Sequence, residues 1–287
     1  MFVVMQSLAK EFHSQAVLDM LKNIPDLTWT PGIPEQFRGL SEEHVRRSFI
    51  PKIGSFINEK THLIGAAPAS FSWVEEKPEC MQVRYQDLCG SCWAFSSVGP
   101  FSDNRCISGK DATRVTYSEQ YMISCDKGSD GCGGTYYLSA PQTFLKKTGV
   151  PTDKCVSYKS GPTNITGKCP TTCDDKTPLV LYKSSKFEDV CTNEESIKVA
   201  LTQGSVQTSF TVYTDFVYYT KGIYHHKFGA QEGGHAVTLV GYGEEKGVKY
   251  WIIRNSWGPS WGEAGYFRMI RGINDCKVED ACYLASA

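Results

Sequence analysis

Gln86-Asp87-Leu88-Cys89-Gly90-Ser91-Cys92-Trp93-Ala94-Phe95 decides the reading of this chain. Trp93, Ala94, Phe95 and Val98 follow Cys92 with the spacing of a buried helix face, so a helix is predicted to begin at Cys92. A thiol placed there meets the unpaired N–H groups of a helix N-terminus, which stabilise a thiolate. Further along the chain, Gly233-Gly234-His235-Ala236 lets the backbone approach closely at a histidine, which then opens the apolar run Ala236–Val240. His235 lies 143 positions after Cys92, and Asn255 heads the box Asn255-Ser256-Trp257-Gly258. A thiol, an imidazole and a side-chain amide are the parts of a nucleophile, its base and the base's orienter. The rival histidines, His225 and His226, read as surface turn residues.

At 287 residues the chain can bury one large core or two smaller ones. A net charge of −1 with 21% charged residues gives no polyelectrolyte signal for nucleic acid or anionic membrane. No apolar run reaches the ~18 residues of a membrane span. Met1–Met5 is apolar but shorter than the ~7–15 residues of a secretory signal core. All twelve cysteines fall between Cys80 and Cys282, which predicts an oxidised, disulfide-stapled body behind a cysteine-free leader. If Cys92 stays a free thiol, at least one further cysteine also lies outside the intramolecular bridges.

In the leader, Phe12, Val17, Leu18 and Leu21 predict an amphipathic helix over residues 8–21, broken by Pro31, Gly32 and Pro34. Ser41 is the expected N-cap of a second helix. The last hundred residues alternate Val, Thr, Phe and Tyr with glycine-rich turns. Strands are expected over residues 178–182, 205–213, 236–242, 250–254 and 266–270. Thr192 and Glu195 form an expected capping box for one intervening helix, stopped at Gly204. Gly99-Pro100 is expected to kink or end the helix that starts at Cys92.

The Cys-Gly-Ser-Cys-Trp box with Gln86 ahead of it, together with the His235 and Asn255 boxes, resembles the papain family of cysteine proteases, in its cathepsin B-like branch. Thr28-Trp29-Thr30-Pro31-Gly32 followed by Phe37 resembles a segment of that branch's propeptides, and Ala67-Pro68-Ala69-Ser70-Phe71 a mature N-terminus. The resemblance implies an α+β fold of two domains behind a helical propeptide. The propeptide would span residues 1–66, a mainly helical L domain 67–180, and a mainly β, barrel-like R domain 181–287. It implies a cysteine endopeptidase zymogen working through an acyl-enzyme, with Cys92 as nucleophile, His235 as base and Asn255 as orienter. Gln86 and the Cys92 N–H would bind the oxyanion, and Trp257 would shield the His235–Asn255 bond.

On the same resemblance, Gly90, Gly133, Gly134 and Thr135 line the substrate cleft, and Tyr137, Ser209, Ala236 and Ala281 wall an uncharged S2 pocket that favours apolar side chains. Four disulfides are implied: Cys80–Cys106, Cys89–Cys132, Cys125–Cys169 and Cys155–Cys173. Cys191, Cys276 and Cys282 then have at most one more bridge among them. No metal or organic cofactor is implied. The implied partners are peptide and protein substrates, the chain's own propeptide and cystatin-type inhibitors, and the implied state is a monomer in lysosome-like or secretory vesicles, or secreted. Asn164-Ile165-Thr166 is a glycosylation sequon. Departures from the family pattern are Asp87 and Thr135 at glycine positions, Pro100, and a Cys155–Cys169 segment too short and histidine-free to close the primed side. Two other readings stay open: a catalytically silent binding protein, and a thiol-disulfide oxidoreductase using Cys89 and Cys92. A zinc site at Cys169 and Cys173 is the alternative for those two cysteines.

Overall fold

The computed structural model describes residues 13–50 and 59–286. In the leader these form helix α1 (Gln15–Lys22), strand β1 (Trp29–Pro31) and helix α2 (Glu42–Arg47). The expected start of the first helix, residues 8–12, lies outside the described residues. Ser41 caps α2 by accepting from the His44 N–H.

The body begins with β2 (Phe71–Ser72) and α3 (Trp73–Glu76), followed by the helices α4 (Cys92–Ile107), α5 (Glu119–Cys125), α6 (Ser139–Lys147) and α7 (Ser160–Thr163). The remainder is β3 (Lys186–Asp189), α8 (Glu194–Leu201), β4 (Val206–Tyr213), β5 (Tyr219–Tyr224), β6 (Gln231–Glu245), β7 (Val248–Arg254), β8 (Tyr266–Ile270) and β9 (Cys282–Ser286). The sheet runs β1-β5-β8-β7-β6-β4-β9-β3, with β2 also on β6, and only the β5–β8 pair is parallel. Although they open the body, β2 and α3 lie against the strand half: Phe71 and Ser72 pair with Tyr242 and Gly241, and Trp73 Nε1 donates to Leu201 O.

Two apolar cores flank the junction of the halves. One unites β4–β9 and α8 with Leu18, Leu21, Trp29, Phe37, Val45 and Phe49, so the leader completes the strand-half core. The other lies under α4–α6 and takes in Cys92, Ala236, Ala281 and the leader's Ile50.

Three local expectations are corrected. Helix α4 continues past Pro100 to Ile107. Gly99 has no Cβ to clash with the proline ring, and nearly every side chain of α4 is buried, so tertiary packing outweighs one lost backbone bond. The cap of α8 is Asn193, whose side chain accepts from Ser196 N; the Thr192 hydroxyl is held instead by His62. Residues 178–182 form no strand, only isolated bridges from Pro178 to Thr172 and from Tyr182 to Val150, because this largely exposed segment starts with a proline that cannot donate.

Candidate active site

The start of α4 and the strand β6 meet at Cys92. Ser91 makes no side-chain cap, so the first N–H groups of α4 remain available to the sulfur. The Cys92 thiol is fully buried and accepts from the Ala236 N–H at 3.5 Å. Beside it, His235 Nε2 donates to Asn255 Oδ1 at 2.7 Å, which leaves Nδ1 as the nitrogen with a free lone pair. Asn255 Oδ1 also accepts from Ser256 N at 2.8 Å, which holds the amide with its oxygen toward the ring. Trp257 stacks on the imidazole at 4.7 Å and keeps water from the His235–Asn255 bond.

Gln86 is fully buried, and its amide is oriented from both ends. Ser256 Oγ donates to its Oε1 at 2.6 Å, while its Nε2 donates to Cys89 O at 3.0 Å and Ser48 O at 3.2 Å. Ser48 belongs to the leader, so a leader carbonyl occupies the place where Gln86 offers its N–H. Around it, Phe49 packs edge-on to His235 and against Trp257, and Ile50 bridges Gly234.

Both ionisable partners are neutral in this closed arrangement. Burial pushes the Cys92 thiol up to about 12, outweighing the N–H groups of Ala236, Trp93 and Cys92 itself. Burial likewise brings His235 down to about 4 against the pull of Asn255. The lowered thiol value expected from the helix N-terminus is therefore not found with the leader in place, since desolvation is the larger effect.

The cleft glycines are steric necessities. A Cβ on Gly90 would stand 2.5 Å from Cys132 O, and one on Gly134, at φ +104°, 2.5 Å from Ile50 Cγ2. Thr135 is buried with its hydroxyl held between Ser129 Oγ and Tyr137 O, so it is turned into its own loop. Ser209 and Ala236 face each other across β4 and β6; Ala281 is buried in the same core as Ala236, and Tyr137 stays half exposed. Asp87 adopts φ +55°, the left-handed conformation that makes glycine usual here, and the Tyr85 hydroxyl is pushed up by burial and by the nearby Asp87 carboxylate.

Cys80–Cys106, Cys89–Cys132, Cys125–Cys169, Cys155–Cys173 and Cys191–Cys282 are bridged, and Cys92 and Cys276 are free. Cys89 is thus unavailable as a redox partner for Cys92, and Cys169 and Cys173 are unavailable to zinc. Among the described residues, no three or more His, Cys, Asp or Glu side chains are grouped to hold a metal. His225 and His226 are not plain surface: His226 stacks on Tyr213 at 3.8 Å and its Nδ1 bonds the buried Asp215. Sequence reading missed the leader's Ser48–Ile50 and Ser256, which orients the Gln86 amide. Ser256 was within reach, as it lies in the Asn255 box.

The papain family cysteine protease profile matches residues 67–286. The chain belongs to this family. A cathepsin B-like protein of Giardia intestinalis, CP2, is 47% identical over 89% of this chain and 88% of its own length. Cathepsin B-like cysteine proteinase 5 of Caenorhabditis elegans is 36% identical over 76% of this chain and 74% of its own. Among solved structures, procathepsin B S9 of Trypanosoma congolense superposes with a TM-score of 0.88 at 26% identity, covering 96% of this chain and 99% of the other. This cathepsin B-like protease is therefore a cysteine-type peptidase in precursor form, with the two-domain α+β fold of the papain family. Among its described residues, no helix is long and apolar enough to cross a membrane.

Proposed function

We propose that this protease is a latent endopeptidase whose residues 1–66 are the propeptide, with 67–180 and 181–287 as the L and R domains. The observation that carries the reading is the leader's Ser48 carbonyl on Gln86 Nε2, with the neighbouring Phe49 packed against His235. Once the leader leaves, water returns and His235 Nδ1 takes the Cys92 proton. The thiolate attacks the scissile carbonyl, and the new oxyanion lies between Gln86 Nε2 and the Cys92 N–H. The imidazolium gives its proton to the departing amine. Water, deprotonated by His235, then cleaves the thioester and restores the thiol. Asn255 keeps the ring in one tautomer throughout, as Nε2–H stays on its Oδ1.

Peptide and protein substrates, the propeptide and cystatin-type inhibitors are the partners this reading assigns. A lysosome-like or secretory compartment fits the disulfides and the partly exposed Asn164 sequon. The test is Cys92→Ala, expected to lower peptidase turnover by about 10⁴-fold or more with the fold retained. Gln86→Ala should lower kcat by about 10²–10³-fold. Hydrolysis at the native rate by Cys92→Ala would overturn the reading.

A further inference from the structure

The segment between Cys155 and Cys169 is held firmly against the helical half. Gln120 Oε1 accepts from Lys159 N and Ser160 N, Gln120 Nε2 donates to Ser160 Oγ, and Ser124 Oγ donates to Thr166 O. From this fixed base the segment reaches the 86–91 turn. The Tyr158 hydroxyl donates to Gln86 O at 2.5 Å and lies 3.1 Å from Ser91 Oγ, and Gly161 O accepts from Leu88 N. The Tyr158 ring packs edge-on against Phe95, one turn into α4, at 4.9 Å.

One side chain thus spans the two pieces that supply oxyanion donors: the Gln86 backbone on one side, and the first turn of α4, which carries the Cys92 N–H, on the other. We propose that Tyr158 is a positioning residue for the oxyanion site, fixing the separation of those two donors. The inference rests on the role assigned above to Gln86. Oxyanion donors act by being held in place before charge develops, so a loose donor loses much of its effect on kcat while substrate binding is little changed.

The test uses the full chain, activated by leader removal. Tyr158→Phe keeps the ring against Phe95 and removes only the hydroxyl, and its thermal midpoint is measured beside the native protein's. On an amide substrate, kcat should fall about tenfold, the size expected for one buried hydrogen bond, with KM within about twofold. A peptide aldehyde, whose thiol adduct places an oxyanion in the site, should weaken by the same factor. Alkylation of Cys92 by iodoacetamide, which forms no oxyanion, should stay within about twofold. An unchanged kcat, or alkylation falling in step with kcat, would overturn the proposal. In a Gln86→Ala background, Tyr158→Phe should cost markedly less than in the native protein; an undiminished cost would also overturn it. A Gln86→Ala enzyme with native kcat would instead overturn the underlying role of Gln86, a separate result.

Discussion

Ile50 and Gly234 exchange two backbone hydrogen bonds: Ile50 N–H donates to Gly234 O at 3.0 Å, and Gly234 N–H donates to Ile50 O at 2.8 Å. The leader thus pairs as an extra strand with the residue just before His235, and the β1–β5 pairing repeats the device at the sheet edge. A substrate cannot use Gly234 while Ile50 does. The intact chain should therefore be silent on peptide substrates, and activity should follow a cut near residues 64–70. Ile64, 90% exposed in that stretch, marks it as open to a protease. N-terminal sequencing of the active form checks this; full activity with the leader intact would refute it.

Among the described residues, Arg46 of the leader pairs with the nearly buried Glu232 of the body, and Glu232 is also held by Thr214 Oγ1. Glu232→Gln imitates the acid form of that side chain at neutral pH. It should release the leader more readily, speeding activation by about fivefold, the ~1 kcal/mol scale of a half-exposed pair. Activation time courses of the two full-length proteins at one pH decide it.

The neutral Cys92–His235 pair gives a pH signature. The imidazole is held at about 4 in the closed chain against an ordinary 6.5, so the unfolded chain binds its proton first. Stability from this group is complete above about 6.5 and is lost progressively as pH falls toward 4. Release of the leader behaves differently, because opening at neutral pH moves a proton from sulfur to imidazole with no net uptake. An NMR titration of the His235 ring should show it uncharged down to about pH 4 in the intact chain. The leader-free enzyme should show an imidazolium at neutral pH. An imidazolium at pH 6 in the intact chain would refute the neutral pair.

The boxes around Cys92, His235 and Asn255 were legible because each chemical part sits in its own short motif. The strands at 250–254 and 266–270 were legible from composition. What remained hidden depends on tertiary company. Pro100 breaks an isolated helix but not one buried on nearly all sides. Thr192 and Asn193 are both good caps, and contact with His62 decides between them. Cys191 could choose its partner only once β9 lay beside β3, bringing Cys282 near and leaving Cys276 on a separate turn. Tyr158 carries no motif, and its role depends on a fold that brings residue 158 against residue 86.

The S2 pocket should favour apolar side chains. The residues proposed as its walls, Tyr137, Ser209, Ala236 and Ala281, carry no charge, and the leader's own Ile50 shares the core of Ala236 and Ala281. Nearby carboxylates are committed elsewhere: Glu279 accepts from Trp251 Nε1 and Gly272 N, and Asp280 from Asn274 Nδ2. A desolvated P2 guanidinium would lack a partner, which is costly. A peptide-library profile should rank Leu, Val or Ile above Arg at P2. Conversely, Ala281→Glu should raise cleavage of substrates with arginine at P2 by about tenfold or more, as a new buried partner supplies a charge-assisted bond. A native profile dominated by P2 arginine would refute the assignment.

The primed side should be open. Closing it requires a loop that reaches across to the strand half and offers cations to a substrate's C-terminal carboxylate. Here the hydrogen-bond partners of residues 155–169 described above, Gln86, Leu88, Ser91, Gln120 and Ser124, belong to the helical half, and the segment is spent on that side. Lys159 is already paired with Asp174 at 2.5 Å, and Lys168 is a single flexible charge with little power to orient a carboxylate. Of the adjacent histidines of this chain, His226 is bonded to Asp215 and His225 stands 4.0 Å from Asp275, both on the strand half, outside that loop. A long peptide should therefore run past Cys92 in both directions, giving strong endopeptidase activity and weak release of C-terminal dipeptides. An internally quenched peptide, assayed with a free C-terminus and as its amide, should be cleaved at rates within about threefold, the small effect of one exposed charge. A fall of tenfold or more on amidation would mean that a carboxylate-binding group stands on the primed side, and the open-cleft reading would be wrong.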